Sequence, residues 1–161
     1  MKIAILSDTH NQDHRVELAL ALARDRGAEM VLHCGDIEDP PVVRLFRGWN
    51  AHFVLGNCDW DRDGLREAIT SIGGQLHDRY GHLEVAGRQL AFLHGHDGDL
   101  LHDLVQSGAY DYLFHGHTHH AVDRQAGPTR VINPGALQRA RVKTFVVLDP
   151  ASGVAETVTV E

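Results

Sequence analysis

The chain has little cysteine, no long apolar run and no excess of positive charge, and each shortage excludes a class of protein. Two cysteines, Cys34 and Cys58, in 161 residues do not make the disulfide framework of a small secreted domain, and they fit a reducing compartment. No apolar stretch approaches the roughly 20 residues of a membrane span. The apolar run from Lys2 to Leu6 stops before Asp8, too short for a signal-peptide core, so the cytoplasm is the expected location. A formal charge of −7 argues against a broad nucleic-acid surface, which is normally basic. Two bound divalent cations would bring that sum to about −3. What the chain has in abundance is histidine, thirteen residues, and imidazole is the commonest protein ligand for transition metals. The hydrophobic share of 43% and charged share of 23% are those of a globular protein. The length suits one domain spanning 1–161.

Periodicity divides the chain into two styles. Apolar runs at Lys2–Leu6, Met30–His33 and Ala51–Leu55 read as strands, alternating with helical patterns at Asp13–Arg26, Pro40–Arg47 and Arg62–Ile72. Such alternation predicts a parallel sheet covered by helices. Beyond it, 83–85 and 90–92 flank a glycine turn and read as a hairpin. Asp99–Ser107 reads as a helix and Tyr112–His115 as a strand. Ala121–Arg124, Arg130–Ile132, Thr144–Leu148 and Ala155–Val160 complete a strand-rich second half.

The polar residues gather at the strand ends. Asp8-Thr9-His10, Gly35-Asp36, Gly56-Asn57-Cys58-Asp59, His94-Gly95-His96 and Gly116-His117-Thr118-His119 each follow a predicted strand. In open α/β sheets ligand sites form outside the carboxyl ends of strands, so five strands deliver Asp, His or Asn to one edge. Each motif alone reads equally well as a turn or a helix cap; their order and common placement carry the inference. Two metals about 3.5–4 Å apart clamp the oxygens of a phosphoryl displacement. A mixed set of imidazoles, carboxylates and an amide suits Mn, Fe, Zn, Ni or Co better than Ca or Mg. The residual positive charge of two such ions beside two carboxylates matches a phosphodiester rather than a neutral amide.

These residues resemble the calcineurin-like metallophosphoesterase superfamily, whose pattern is D-x-H, G-D, G-N-x-[HD], H-G and G-H-x-H. The likeness spans Asp8 to His119 and is nearest to the small YfcE-type and archaeal phosphodiesterases, as Ile132-Asn133-Pro134-Gly135 also suggests. It implies an α/β fold, a four-layer α/β/β/α sandwich of two mixed sheets flanked by helices. It implies two divalent transition-metal ions, manganese foremost. Asp8, His10 and His119 would hold one, Asn57, His94 and His117 the other, with Asp36 bridging. A metal-bound hydroxide would attack phosphorus in line.

The sequence departs from many relatives at Cys58, where a histidine commonly assists the leaving group. His96 is the candidate substitute, and activation by metal the other. Cys58 itself reads either as an oxidisable thiol near metal or as a small buried residue. Asp59 reads as orienting the Asn57 loop or a histidine, or as a turn residue. Asn133-Pro134-Gly135 reads as a tight turn beside the site, and His33 and His120 as structural. Trp60 reads as stacking on substrate or covering the core, and Arg139 and Arg141 as solvated loop residues or phosphate contacts. With only about twenty residues between His94 and Gly116, no cap domain fits, and an open pocket for small phosphodiesters is expected, with possible homo-oligomers. A different class within the superfamily is the protein-binding scaffold of the Vps29 type, favoured where metal ligands are missing; here the set is complete.

Overall fold

The computed structural model describes residues 1–77 and 79–161. Its first strand, β1 (Lys2–Leu6), shows why the first half reads as near-continuous apolar runs. Ala4 and Leu6 pack under helices, whereas Ile3 and Ile5 face a second sheet, so both faces are buried and neither needs polar residues. Next in the chain come α1 (Asp13–Asp25), β2 (Ala28–His33), a 3₁₀ helix (Pro40–Phe46), β3 (Asn50–Phe53), α2 (Arg62–Ser71) and β4 (Gln75–Leu76). The second half holds β5 (Gly81–Val85), β6 (Arg88–Phe92), α3 (Gly98–Gln106), β7 (Tyr112–Phe114), β8 (Val122–Ala126), β9 (Thr129–Asn133), β10 (Thr144–Asp149) and β11 (Val154–Thr159).

These strands form two mixed sheets. The six-stranded one runs β11-β10-β1-β2-β3-β4, with β1 to β4 parallel and β10 and β11 antiparallel additions. The five-stranded one runs β5-β6-β7-β9-β8, with β6, β7 and β9 parallel. Ile5, Leu32 and Val146 of the first meet Leu90, Phe92 and Phe114 of the second in a core between the sheets. Val16, Leu20, Phe46 and Leu65 cover the outer face of the first sheet, and Leu104 packs with Ala91, Leu113 and Val131 on the outer face of the second. This is the expected four-layer α/β/β/α sandwich.

The departures from expectation are local. Pro40 and Pro41 lack N–H donors, and the segment expected as a short helix is wound as 3₁₀. The two-residue β4 escapes a periodicity argument because it registers only against His52 and Phe53. The strand expected at 121–124 runs instead over Val122–Ala126, and the third strand ends at Phe53 rather than Leu55.

Candidate metal centre

The carboxyl ends of β1, β2 and β3 in one sheet and of β6 and β7 in the other converge on one edge. The loops after β1 and β2 are zipped together, Asp8 N–H donating to Gly35 O and His10 N–H to Asp36 O (3.0 and 3.1 Å). Gly35 is essential to that approach. Its φ is +93°, and a Cβ there would lie 2.8 Å from Gly56 N and 2.9 Å from His94 Nδ1.

The strain of the chain is concentrated here. Asp8, His10, Asp36, His117 and His119 all adopt positive φ, as do neighbouring Asn11, Glu38 and Arg139; Ala86, in a hairpin turn, is the other non-glycine case among the described residues. Such backbone costs of order 1–3 kcal/mol per residue and persists where the surroundings over-determine it, characteristically at functional sites.

Each buried donor is tied at its outer atom, and in Asp8 and His10 the inner atom is left without a partner. Asp8 Oδ2 accepts from the Ser7 hydroxyl and from His117 N–H at 3.1 Å, leaving Oδ1 turned inward. His10 Nδ1 lies 2.6 Å from Glu38 Oε1, leaving Nε2. Asp8 Oδ1 and His10 Nε2 are buried without a hydrogen-bond partner, 3.9 Å apart, with His119 Nε2 3.0 Å from the same Asp8 oxygen. An orphaned buried polar atom is expensive, and a shared cation relieves both. Asp36 repeats the pattern. Its Oδ1 accepts from Cys58 N–H (2.9 Å), and its Oδ2 stands 3.7 Å from His10 Nε2 and 3.4 Å from His94 Nε2, between the two groups. His94 Nδ1 donates to Cys34 O at 2.8 Å, tying one sheet's loop to the other's, and its Nε2 lies 3.0 Å from Asn57 Oδ1.

Ligand atoms of Asp8, His10 and His119 lie within 4.8 Å of one another, as do those of Asp8, Asp36 and His94, and of His10, Asp36 and Cys58. His117 is in none of these groups. Its exposed ring stands beside them, 5.2 Å from the His94 ring. His96 is exposed at 5.4 Å from His94 and 6.3 Å from His117, ring to ring. Burial and then the neighbouring His94 and His117 push its pKa down. Burial alone would raise Asp36, but the His94 contact and charge, with Cys58 N–H, hold it well below the carboxylate range. Burial would likewise lower His94, but Asp36 and Asp8 hold it up. A cation therefore competes with a proton there, so metal affinity falls as pH falls.

Other residues brace rather than ligate. Asp59 accepts from the N–H groups of Gly56, Asp36, Ile37 and Glu38 at 2.7–3.0 Å. It thus orients the loops after β2 and β3 through backbone, with no bond to a histidine. His33 is buried, accepting from Gly35 N–H at Nδ1 and facing Thr9 Oγ1 with Nε2; burial pushes its pKa down to about 3, keeping it neutral. Asn133 holds the His117 loop through Gly116 O and Thr118 Oγ1, both at 3.0 Å. Burial, then Asp36, raises the Cys58 thiol, while Arg139 lowers it, and burial raises Cys34. Trp60 is 87% exposed and covers no core. Glu38 was invisible to sequence reasoning. Its one signal was a carboxylate two residues after Asp36, and pairing it with His10 required the fold.

Comparison with known proteins shows the family and the fold of this chain. The model of the calcineurin-like phosphoesterase superfamily domain matches residues 1–153. A phosphodiesterase of Methanocaldococcus jannaschii is 34% identical over 138 residues, covering 84% of this chain and 83% of the relative. The structure of an archaeal phosphodiesterase superposes with a TM-score of 0.93 at 30% identity, covering 99% of this chain and all of that one. A Vps29 of Entamoeba histolytica, crystallised with Zn²⁺, shares the fold at 17% identity, with a TM-score of 0.67 over 99% of this chain and 98% of its own. This chain belongs to the calcineurin-like phosphoesterase superfamily and is a phosphoric ester hydrolase by family, fold and named relatives.

Proposed function

We propose that this member of the calcineurin-like phosphoesterases is a phosphodiesterase acting through two divalent transition-metal ions, manganese foremost. Asp8, His10 and His119 would hold one ion, Asn57, His94 and His117 the other, and Asp36 both. The observation that carries the reading is the inward pair of orphaned buried atoms, Asp8 Oδ1 and His10 Nε2, with Asp36 Oδ2 within 4 Å of a histidine on each side. The bound pair would supply Lewis-acid charge and an activated water for in-line displacement at phosphorus.

The chain's own residues do the rest. Glu38 fixes the ring of His10, and the Cys34 carbonyl fixes that of His94, so the Nε2 atoms of both rings are aimed before any cation arrives. Asp59 holds the Asp36 loop at its backbone. His96, exposed beside His94 and His117, faces the departing alkoxide or aryloxide. Its lowered pKa makes it a better proton donor when protonated and a smaller fraction protonated at neutral pH. The open setting, with His96, His117 and Asn57 all exposed, suits small phosphodiesters.

The test is hydrolysis of bis(p-nitrophenyl) phosphate by metal-stripped protein with and without Mn²⁺, with metal content by elemental analysis. Near two metals per chain and metal-dependent turnover are expected. Two metals without turnover of diester or monoester would favour a scaffold instead, and no metal would remove the reading.

A further inference from the structure

Beside the metal centre lies a cavity of about 290 Å³ that this mechanism leaves unused. His119 belongs both to its wall and to the Asp8–His10–His119 group, so the cavity adjoins the centre. Its charge is of one sign. Arg139 and Arg141 stand in the wall with His120, and among the described residues no carboxylate lines it, although the chain as a whole carries −7. Arg139 is anchored 3.3 Å from Glu38 Oε1, the oxygen that also holds His10. Its φ of +58° is a conformation that a non-glycine residue adopts only under constraint. Arg141 enters none of the arginine ion pairs among the described residues. On the His94 side of Asp36 a smaller cavity, about 140 Å³, is lined by His96 and Arg62, with Arg79 there paired to Asp97.

A phosphodiester has two arms, and the two cavities offer a place for each. With the leaving arm beside His96, the retained arm lies towards His119 and the two arginines. We infer that the Arg139–Arg141 cavity is a subsite for an anionic group on the retained arm, so that the preferred substrates are diesters bearing a second negative charge, a carboxylate or a further phosphate. This rests on the phosphodiesterase reading. A basic wall open to solvent attracts such a group by charge, each exposed pair contributing a factor of a few, while the metal centre holds the scissile phosphate.

The experiment is calorimetric titration of the protein in Mn²⁺ buffer with three aryl phosphates, the products such diesters would leave: phenyl phosphate, 3-carboxyphenyl phosphate and 3-phosphonophenyl phosphate. The two probes with a second anionic group are expected to bind roughly 10-fold tighter than phenyl phosphate, the larger gain identifying the anion. That ratio falls below about 2 in the Arg139→Gln/Arg141→Gln variant and by at least half in Arg141→Gln alone, which guards against a folding defect in the double variant. Equal affinities in the unsubstituted protein, or a ratio that survives both substitutions, would overturn the inference. Turnover of bis(p-nitrophenyl) phosphate, followed in parallel, reports on the diesterase reading alone. A ratio lost in the variants upholds the subsite even without diester turnover, a result that would remove that reading instead.

Discussion

The proposed ligand set is built in two unlike halves. Asp8, His10, Asp36 and His94 are buried, and each has its outer atom tied, by Ser7 and His117 N–H, Glu38, Cys58 N–H and the Cys34 carbonyl respectively. Asn57 and His117 are exposed, and His119 is half-buried. The difference teaches a division of labour. Side chains locked by a second hydrogen bond lose little entropy on taking a cation and set its position. In the proposed centre the exposed ones would complete the coordination on the side where substrate enters and leaves.

The largest expected effect comes from Asp36→Asn, which removes the one carboxylate proposed to hold both ions. Bound metal should fall below two per chain and diester turnover by more than roughly 10³-fold, beyond the 10–100-fold typical of an outer partner. Unchanged metal content would break the comparison at its centre. His96→Ala belongs wholly to the exposed side. It should leave metal content intact and slow esters with poor leaving groups roughly 100-fold more than p-nitrophenyl esters. An equal effect on both would make His96 a positioning residue.

Glu38→Gln loosens the buried half without touching a proposed ligand, and metal affinity should drop roughly 10-fold, measured by competition with a chelator. If His117→Ala loses metal more readily than Glu38→Gln, the buried half is not the anchor. The smallest effect lies outside the site. His52 and His77 share a hydrogen bond at 3.0 Å. Burial, then the His77 charge, lowers His52 to about 4, and burial lowers His77. Above pH 6.5 both are neutral in either state and stability is full. As pH falls from 6.5 towards 4 the unfolded chain takes up protons that the folded chain refuses, so stability declines. Urea midpoints should fall over that window, less steeply in His52→Gln.

Much of this was legible locally. An apolar run that stops at Asp8, Asp36 or His94 is a strand end bearing a donor, and strand alternated with helix sets the parallel order that brings such ends to one edge. The alternation did not reveal β4, whose two residues exist as strand only through their neighbour, nor the 3₁₀ winding at Pro40.

By itself, then, the sequence determined the strands, the donor types and their gathering at one edge, because residue chemistry and periodicity are short-range properties of the chain. Only the tertiary structure decided who holds whom. Glu38 reaches His10 across 28 positions, Arg139 reaches Glu38 across 101, and Asp59 closes on the backbone of Asp36 across 23. Such pairings follow from which loops two packed sheets press together, and their energies depend on burial that no local pattern encodes. Whether the basic cavity beside His119 reads the substrate is decided at that same level.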